Sequence, residues 1–246
     1  MHQVIIIARK DIREALRSKS TYFYLLFLFF VVFPYLDGAR SVISHLAVQK
    51  TTSIEIVPAL KMFLNNLVHT LPLVLTMLFC SFLSTYAVVM DKTKRTLESL
   101  LATPASLKQI WLGKSLAVAI PSVIITFLFS FLALVVINLV VIVPQAGVFI
   151  WPDGLSLVTG LVIVPVMAFF VVCIVSFLQL IMTNPRIANF AFIGIFLGFY
   201  FTTITELTAL WDFSLIYLAA TVILAVTTLL LGRWLNKDRV VLSSKG

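Results

Sequence analysis

Long runs of apolar residues, separated by short polar stretches, form the main pattern of this 246-residue sequence. The runs cover residues 21–36, 62–90, 115–143, 155–182, 187–205 and 213–235. Because an α-helix rises about 1.5 Å per residue, we expect each run to cross a hydrocarbon core of about 30 Å as one helix. The pattern predicts an all-α membrane protein in which residues 1–246 form a single domain with six transmembrane helices.

The first 20 residues alternate between apolar and basic positions. A helix there would have an apolar face that includes Ile7 and Leu16 and a basic face that includes Arg13 and Arg17. Such helices lie flat in the membrane interface. The segment is therefore predicted to be an N-terminal amphipathic interfacial helix, which either only anchors the chain or also forms an elbow that touches a cytoplasmic partner.

The basic residues indicate which side of the membrane each segment occupies. Fifteen of the 18 Lys and Arg residues fall in segments 1–20, 91–114, 183–186 and 233–246, whereas Arg40, Lys50 and Lys61 fall on the other side. Cytoplasmic loops carry the excess of Lys and Arg. We therefore expect a multi-pass protein of the plasma membrane with cytoplasmic N- and C-termini and a cytoplasmic loop at 91–114. The basic residues behind the net charge of +8 determine this topology, and we expect no nucleic-acid partner.

Composition excludes a soluble globular protein and gives little sign of chemistry inside the spans. The chain is 61% hydrophobic and 11% charged, whereas soluble domains are about half apolar and a quarter charged. His69 is the one titratable residue inside a predicted span, and it is either a satisfied or water-facing histidine or a proton or metal site. The neutral amides are expected to join helices by hydrogen bonds; they are Asn65, Asn66, Asn138 and Gln179.

The motifs examined for catalysis and binding lack essential parts. Gly113-Lys114-Ser115 matches the end of a phosphate-binding loop, but Lys108 occupies the position of its first glycine. Cys80 and Cys173 have no metal-ligand spacing around them. We expect no catalytic residue, cofactor or metal on this chain. Gly194 and Gly198 form a GxxxG pair, a spacing that allows two helices to pack closely.

The connection at 91–114 is predicted to be a short amphipathic knob. Thr96 is expected to cap a short helix that stops before Pro104, and a second helical segment should begin near Ser106 and lead into the third span. Two interpretations are open. The leucines either dip into lipid or anchor the knob in a groove of a soluble partner. The residues in question are the apolar Leu97, Leu100 and Leu101 and the polar rim of Lys94, Arg95 and Glu98.

This loop resembles the hallmark of ABC type-2 transporter permeases, in which an acidic-basic run precedes Thr-Leu-Glu, two leucines, Thr-Pro and Gly-Lys. The matching residues are Asp91-Lys92, Thr96-Leu97-Glu98, Leu100-Leu101, Thr103-Pro104 and Gly113-Lys114. The family commonly has glycine immediately before the threonine, where this chain has Arg95. We therefore expect the turn before the helix to differ from that of the family.

The resemblance implies a permease subunit of an ABC transporter, an exporter, that forms its translocation path as a dimer with a second permease copy or a homologous permease in the lipid bilayer. ATP and Mg would bind a separate ATPase subunit. That subunit would dock on Asp91, Lys94, Arg95, Thr96, Leu97, Glu98, Leu100, Leu101, Thr103 and Pro104. The alternatives are a secondary transporter, disfavoured by the lack of intramembrane carboxylates, and a membrane assembly protein that does not transport.

Overall fold

The computed structural model is helical through almost all of the residues that it describes. These are residues 2–19, 53–94, 96–184 and 213–235, with scattered positions within 21–41 and 187–194. The helices are α1 (His2–Arg17), α2 (Ser53–Ser84), α3 (Asp91–Thr93), α4 (Thr96–Leu101), α5 (Leu107–Ile137), α6 (Val143–Ala146), α7 (Gly154–Val158), α8 (Val164–Ile181) and α9 (Phe213–Trp234). Three π-helical segments, Thr85–Met90, Asn138–Ile142 and Thr159–Ile163, join α2 to α3, α5 to α6 and α7 to α8.

Four helical rods within the described residues are long and apolar enough to cross a membrane. They are Val57–Thr93, Leu107–Ile142, Gly154–Ile181 and Leu215–Trp234. They correspond to the second, third, fourth and sixth predicted runs, so the sequence pattern is confirmed at these four. The first and fifth runs, 21–36 and 187–205, lie largely outside the described residues.

The rod that contains α2 lies at the centre of the bundle. Its most apolar window is 76% buried inside the protein, against 17% for the rod formed by α9. Large side chains on α2, among them Leu71, Leu75 and Phe79, are fully buried in the main core. The helices α5 and α8 pack on α2, and α9 packs on α8. The exposed apolar surface therefore lies mostly on the outer helices, as expected for a chain whose outside faces lipid.

Two glycines allow close approach between elements. A Cβ atom on Gly113 would lie 3.0 Å from Cβ of Ile7, so its absence lets α1 pack tightly against α5. A Cβ atom on Gly160 would overlap the backbone oxygen of Val68 and lie 2.7 Å from its Cγ1. The π-helical segment around Gly160 thus lies directly against the backbone of α2.

A helix is present in the N-terminal segment, and its position in the membrane interface stays a prediction. Ile7 is buried, whereas Ile5 and Ile6 are exposed on the surface of the protein. Asp11 and Ala15 complete the buried stripe one and two turns beyond Ile7. Thus α1 places a carboxylate, and not only aliphatic side chains, against α5.

Three of the predicted amides join separate parts of the chain, as expected. Gln179 Nε2 donates to Ser84 Oγ at 3.0 Å and connects α8 to α2. Asn138 Oδ1 accepts from the backbone N–H of Ile150 at 3.0 Å. Asn65 is described with its partner below.

Two further contacts extend this network of polar side chains. Asn65 Nδ2 donates to Asp153 Oδ2 at 2.7 Å, and Asp153 Oδ1 also lies 2.5 Å from Lys61 Nζ. The His69 ring is buried with its centroid 5.8 Å from that of Tyr217. His69 of α2 therefore packs against α9.

Candidate functional site

A buried lysine occupies the centre of a charged cluster at the end of the bundle that carries α3 and α4. The Lys114 side chain is 0% exposed although it lies in the second turn of α5. Its Nζ donates to Asp91 Oδ2 at 2.5 Å, to Asp11 Oδ2 at 3.2 Å and to the backbone oxygen of Ala87. An ammonium group has three donors, so these three acceptors satisfy it. The arrangement offsets the large cost of burying its charge.

Local packing brings the second carboxylate to this lysine. The close approach at Gly113 brings α1 against α5 next to Lys114. Asp11 lies on the buried stripe of α1, and its side chain is 6% exposed. Burial raises the pKa of Asp11 above the usual 3.8, the Lys114 ammonium acts in the opposite direction, and the charge of Asp91 raises the pKa further. Burial, together with the charge of Asp91, thus outweighs the Lys114 ammonium in its effect on the pKa of Asp11.

Asp91 connects this cluster to the helix of the predicted knob. Its Oδ2 atom accepts from Lys114, while Oδ1 accepts from Thr96 Oγ1 at 2.9 Å. The Thr96 hydroxyl also lies 3.2 Å from the backbone oxygen of Asp91. Thr96 begins α4 where the sequence placed the start of the helix, and its hydroxyl proton is directed back to Asp91. One carboxylate therefore links α4 to α5 and, through Lys114, to α1.

The neighbouring residue, Lys92, binds a different helix. Its Nζ donates to the backbone oxygens of Met182 at 2.5 Å, Leu180 at 3.2 Å and Gln179 at 3.4 Å. These are carbonyls at the C-terminal end of α8, where the last turn of a helix has no intrahelical partners for its oxygens. A cation also interacts favourably with the negative end of the helix dipole. Lys92 therefore caps α8.

The boundary of the predicted knob near Ser106 is built as expected, whereas the Thr96 hydroxyl bonds Asp91. The Ser106 side chain accepts from the backbone N–H of Gln109 at 3.3 Å, and the Gln109 side chain accepts from the backbone N–H of Ser106 at 2.9 Å. This reciprocal cap starts α5 beside Ser106, as the sequence predicts. Residues 107–114 of the loop therefore belong to α5.

The predicted docking residues fall into three groups. Lys94, Thr96, Thr103 and Pro104 are exposed, and Asp91 is partly exposed. Leu100 is half-buried and packs against the main core of this chain, so it is not a free apolar anchor. Arg95 lies outside the described residues, as do the side chains of Leu97, Glu98 and Leu101. Gly194 is helical, and Gly198 lies outside the described residues, so the GxxxG pair stays a prediction.

A cleft of about 380 Å³ lies beside the charged cluster, between α1 and the start of the knob. Its lining residues carry both signs of charge; they are Asp11, Glu14, Ala15, Arg17, Ser18, Met90, Asp91 and Lys94. The cleft joins the surface of α1 to that of the knob. A protein surface that contacts one of them is therefore positioned to contact the other.

The membrane-length helices define a multi-pass helical membrane protein. The chain belongs to the ABC-2 family of transporters, since the family model described as ABC-2 family transporter protein matches residues 5–232. The resemblance inferred from the loop is thereby confirmed. Among curated proteins, none matches the chain.

Sequence reasoning did not identify the charged cluster. It assigned Lys114 to a cytoplasmic loop and to a motif, although the residue is fully buried. A signal was present in α1, because Asp11 follows the buried Ile7 by one helical turn. A carboxylate on a packed helix face requires a hydrogen-bonding or charged partner.

Proposed function

We propose that the chain is the permease subunit of an ABC exporter. Two permease copies, or this chain with a homologous permease, form the path through the plasma membrane. Separate ATPase subunits bind ATP and Mg and dock on the knob formed by residues 91–106. Membership in the ABC-2 family supports this role, since the family is a membrane component of transport.

The observation that carries the proposal is the attachment of the knob. The knob has exposed residues at Ser99 in α4 and at Ala102 and Thr103 directly after it. At its base, Thr96 is hydrogen-bonded to Asp91, which is part of the buried cluster. A segment that has exposed residues and is fixed at its base suits a part that receives force from a bound partner and passes it to the bundle.

The cleft beside the knob supports an additional role for α1 as an elbow. Arg17 and Glu14 on α1 face the same cleft as Lys94 of the knob. Opposite charges in one cleft suit a partner with its own mixed charges, because complementary charges guide association and fix its register. The exposed Ile5 and Ile6 fit a helix that also contacts the lipid interface. The knob and both termini then lie in the cytoplasm.

Copurification with an activity assay tests the proposal. The full chain is purified under mild detergent conditions from the cells that produce it, and Mg-dependent ATP hydrolysis and the copurified proteins are measured. We expect a stoichiometric partner with a phosphate-binding loop, and hydrolysis that disappears when the partner is stripped away. A pure chain without associated ATPase would contradict the proposal.

The two alternatives give different results in the same preparation. A secondary transporter would respond to an imposed ion gradient in proteoliposomes without any ATPase partner. An assembly protein would bind a partner whose hydrolysis produces no conformational response in the permease. The position of the charged residues disfavours the first alternative, since Asp11, Asp91 and Lys114 cluster at one end of the bundle rather than along its middle.

A further inference from the structure

We propose that Asp91 and Lys92 form a two-sided clamp that makes α1, α5 and α8 follow the knob. The inference rests on the proposed function and concerns how force from the ATPase reaches the membrane helices. The two residues are consecutive in the short helix α3. Asp91 binds α4 and α5, and through Lys114 it is connected to α1, whereas Lys92 binds the end of α8; both are therefore positioning residues.

The Asp91 side of the clamp consists of charged and neutral hydrogen bonds. One carboxylate oxygen accepts from Thr96 of α4 at 2.9 Å, and the other accepts from Lys114 of α5 at 2.5 Å. Lys114 continues the connection to Asp11 of α1. The Lys114 side chain has no exposure to water, so displacing Asp91 would leave a buried ammonium with one acceptor fewer. Movement of α4 that pulls on Asp91 is therefore opposed unless α5 and α1 follow.

The Lys92 side of the clamp uses backbone acceptors. The carbonyl oxygens of Leu180 and Met182 lie within 3.2 Å of its ammonium nitrogen. Because these acceptors belong to the main chain, side-chain changes on α8 leave them in place. The contact depends on the length and charge of the side chain at position 92.

Because Asp91 and Lys92 are adjacent, the two sides of the clamp move together. A shift of α3 moves the Asp91 carboxylate and the Lys92 ammonium together, since both belong to the same helical turn. The knob thus acts on helices that are far apart in sequence, from residue 11 to residue 182. Without Lys92, α8 would be released from the clamp while α1 and α5 remained attached.

Hydrogen–deuterium exchange of the complex tests the clamp segment by segment. The permease with its bound ATPase is compared without nucleotide and trapped with ATP and vanadate. In the wild type we expect nucleotide-dependent changes in exchange in α1, in the first turns of α5 and at residues 178–184. Lys92→Met should abolish the change at residues 178–184 and keep it in α1, while Lys92→Arg, which retains donors and charge, should keep both.

A second pair of variants covers the case in which Lys92→Met does not fold. Thr96→Val removes the hydroxyl that donates to Asp91 at an exposed position and keeps the side-chain shape, whereas Thr96→Ser keeps the hydroxyl. Measured per bound ATPase, Thr96→Val should reduce the response in α1 and at residues 178–184 together, and Thr96→Ser should not.

The outcomes separate the clamp from the proposed function. A chain with no bound ATPase overturns the proposed function. With an active ATPase bound, wild-type helices that show no nucleotide response favour the assembly protein and also overturn the proposed function. The clamp alone is overturned when the wild-type helices respond but residues 178–184 respond equally in the wild type, Lys92→Met and Thr96→Val.

Discussion

The Lys114 ammonium lies 2.5 Å from Asp91 Oδ2. Asp91 directly follows the π-helical segment Thr85–Met90, so this contact joins the start of α5 to the end of the central rod. The lysine is completely buried, and the aspartate side chain is 17% exposed. The contact therefore lies between the interior of the bundle and the surface of the knob. It joins the part proposed to bind the ATPase to the part proposed to move.

Removal of the buried ammonium should strongly destabilise the protein. Lys114→Met leaves Asp11 and Asp91 without their shared cation, and breaking a buried pair in this way costs about 3–5 kcal/mol. Lys108→Met is the matched control, because Lys108 is exposed on the same helix. Thermal unfolding in detergent should show a large decrease in stability for Lys114→Met and little change for Lys108→Met. Equal stability of the two variants would show that the charged cluster does not stabilise the fold.

The raised pKa of Asp11 predicts a particular dependence of stability on pH. Burial favours the protonated form in the folded protein, so between the ordinary pKa of 3.8 and the raised value the folded state binds more protons than the unfolded state. The free energy of unfolding should therefore fall as pH rises through this window. Asp11→Asn should remove this contribution, whereas Glu14→Gln, at an exposed position on the same helix, should keep it.

Unfolding measurements across this pH range, made on the wild type and both variants in one detergent, check the sign. A contribution from Asp11 that instead increases with rising pH would mean that Lys114 outweighs burial.

The contact of Gly160 with α2 predicts a cost for the smallest added side chain. In Gly160→Ala the new methyl group would overlap the backbone oxygen of Val68, which cannot rotate away as a side chain can. Overpacking of this kind costs about 1–3 kcal/mol. Gly154→Ala is the control, since a Cβ there meets no described atom within 4 Å. Similar unfolding midpoints for the two alanine variants would contradict the tight packing of this segment.

The elements that could be predicted from the sequence are those set by the lipid environment or by interactions between residues close in sequence. Lipid requires long apolar helices, so the runs identified four rods directly. The boundary at Ser106 follows from capping chemistry within a few residues. By contrast, the contact between Lys114 and Asp11 joins residues 103 positions apart. A pattern of neighbouring residues cannot predict a contact at that separation in sequence.

The packed faces of amphipathic segments were also beyond local rules. In α1, Ile5 and Ile6 are exposed, whereas the charged Asp11 is buried on the same side as Ile7. Leu100 suggested an anchor for a partner, yet it packs on its own chain. An apolar residue can face lipid, a partner or the core, and only the tertiary arrangement distinguishes these destinations.

Substitution at exposed positions of the knob tests the central claim most directly. Ser99 and Ala102 are both exposed, whereas Leu100 packs inward, so Ser99→Arg combined with Ala102→Arg alters the knob without entering the core. Ser99→Ala combined with Ala102→Ser is the control that adds no bulk or charge. The measurement is Mg-dependent ATP hydrolysis that copurifies with each variant, normalised to the amount of folded permease. The account predicts that the arginine pair loses this activity while the control retains it; undiminished hydrolysis with the arginine pair would contradict docking on the knob.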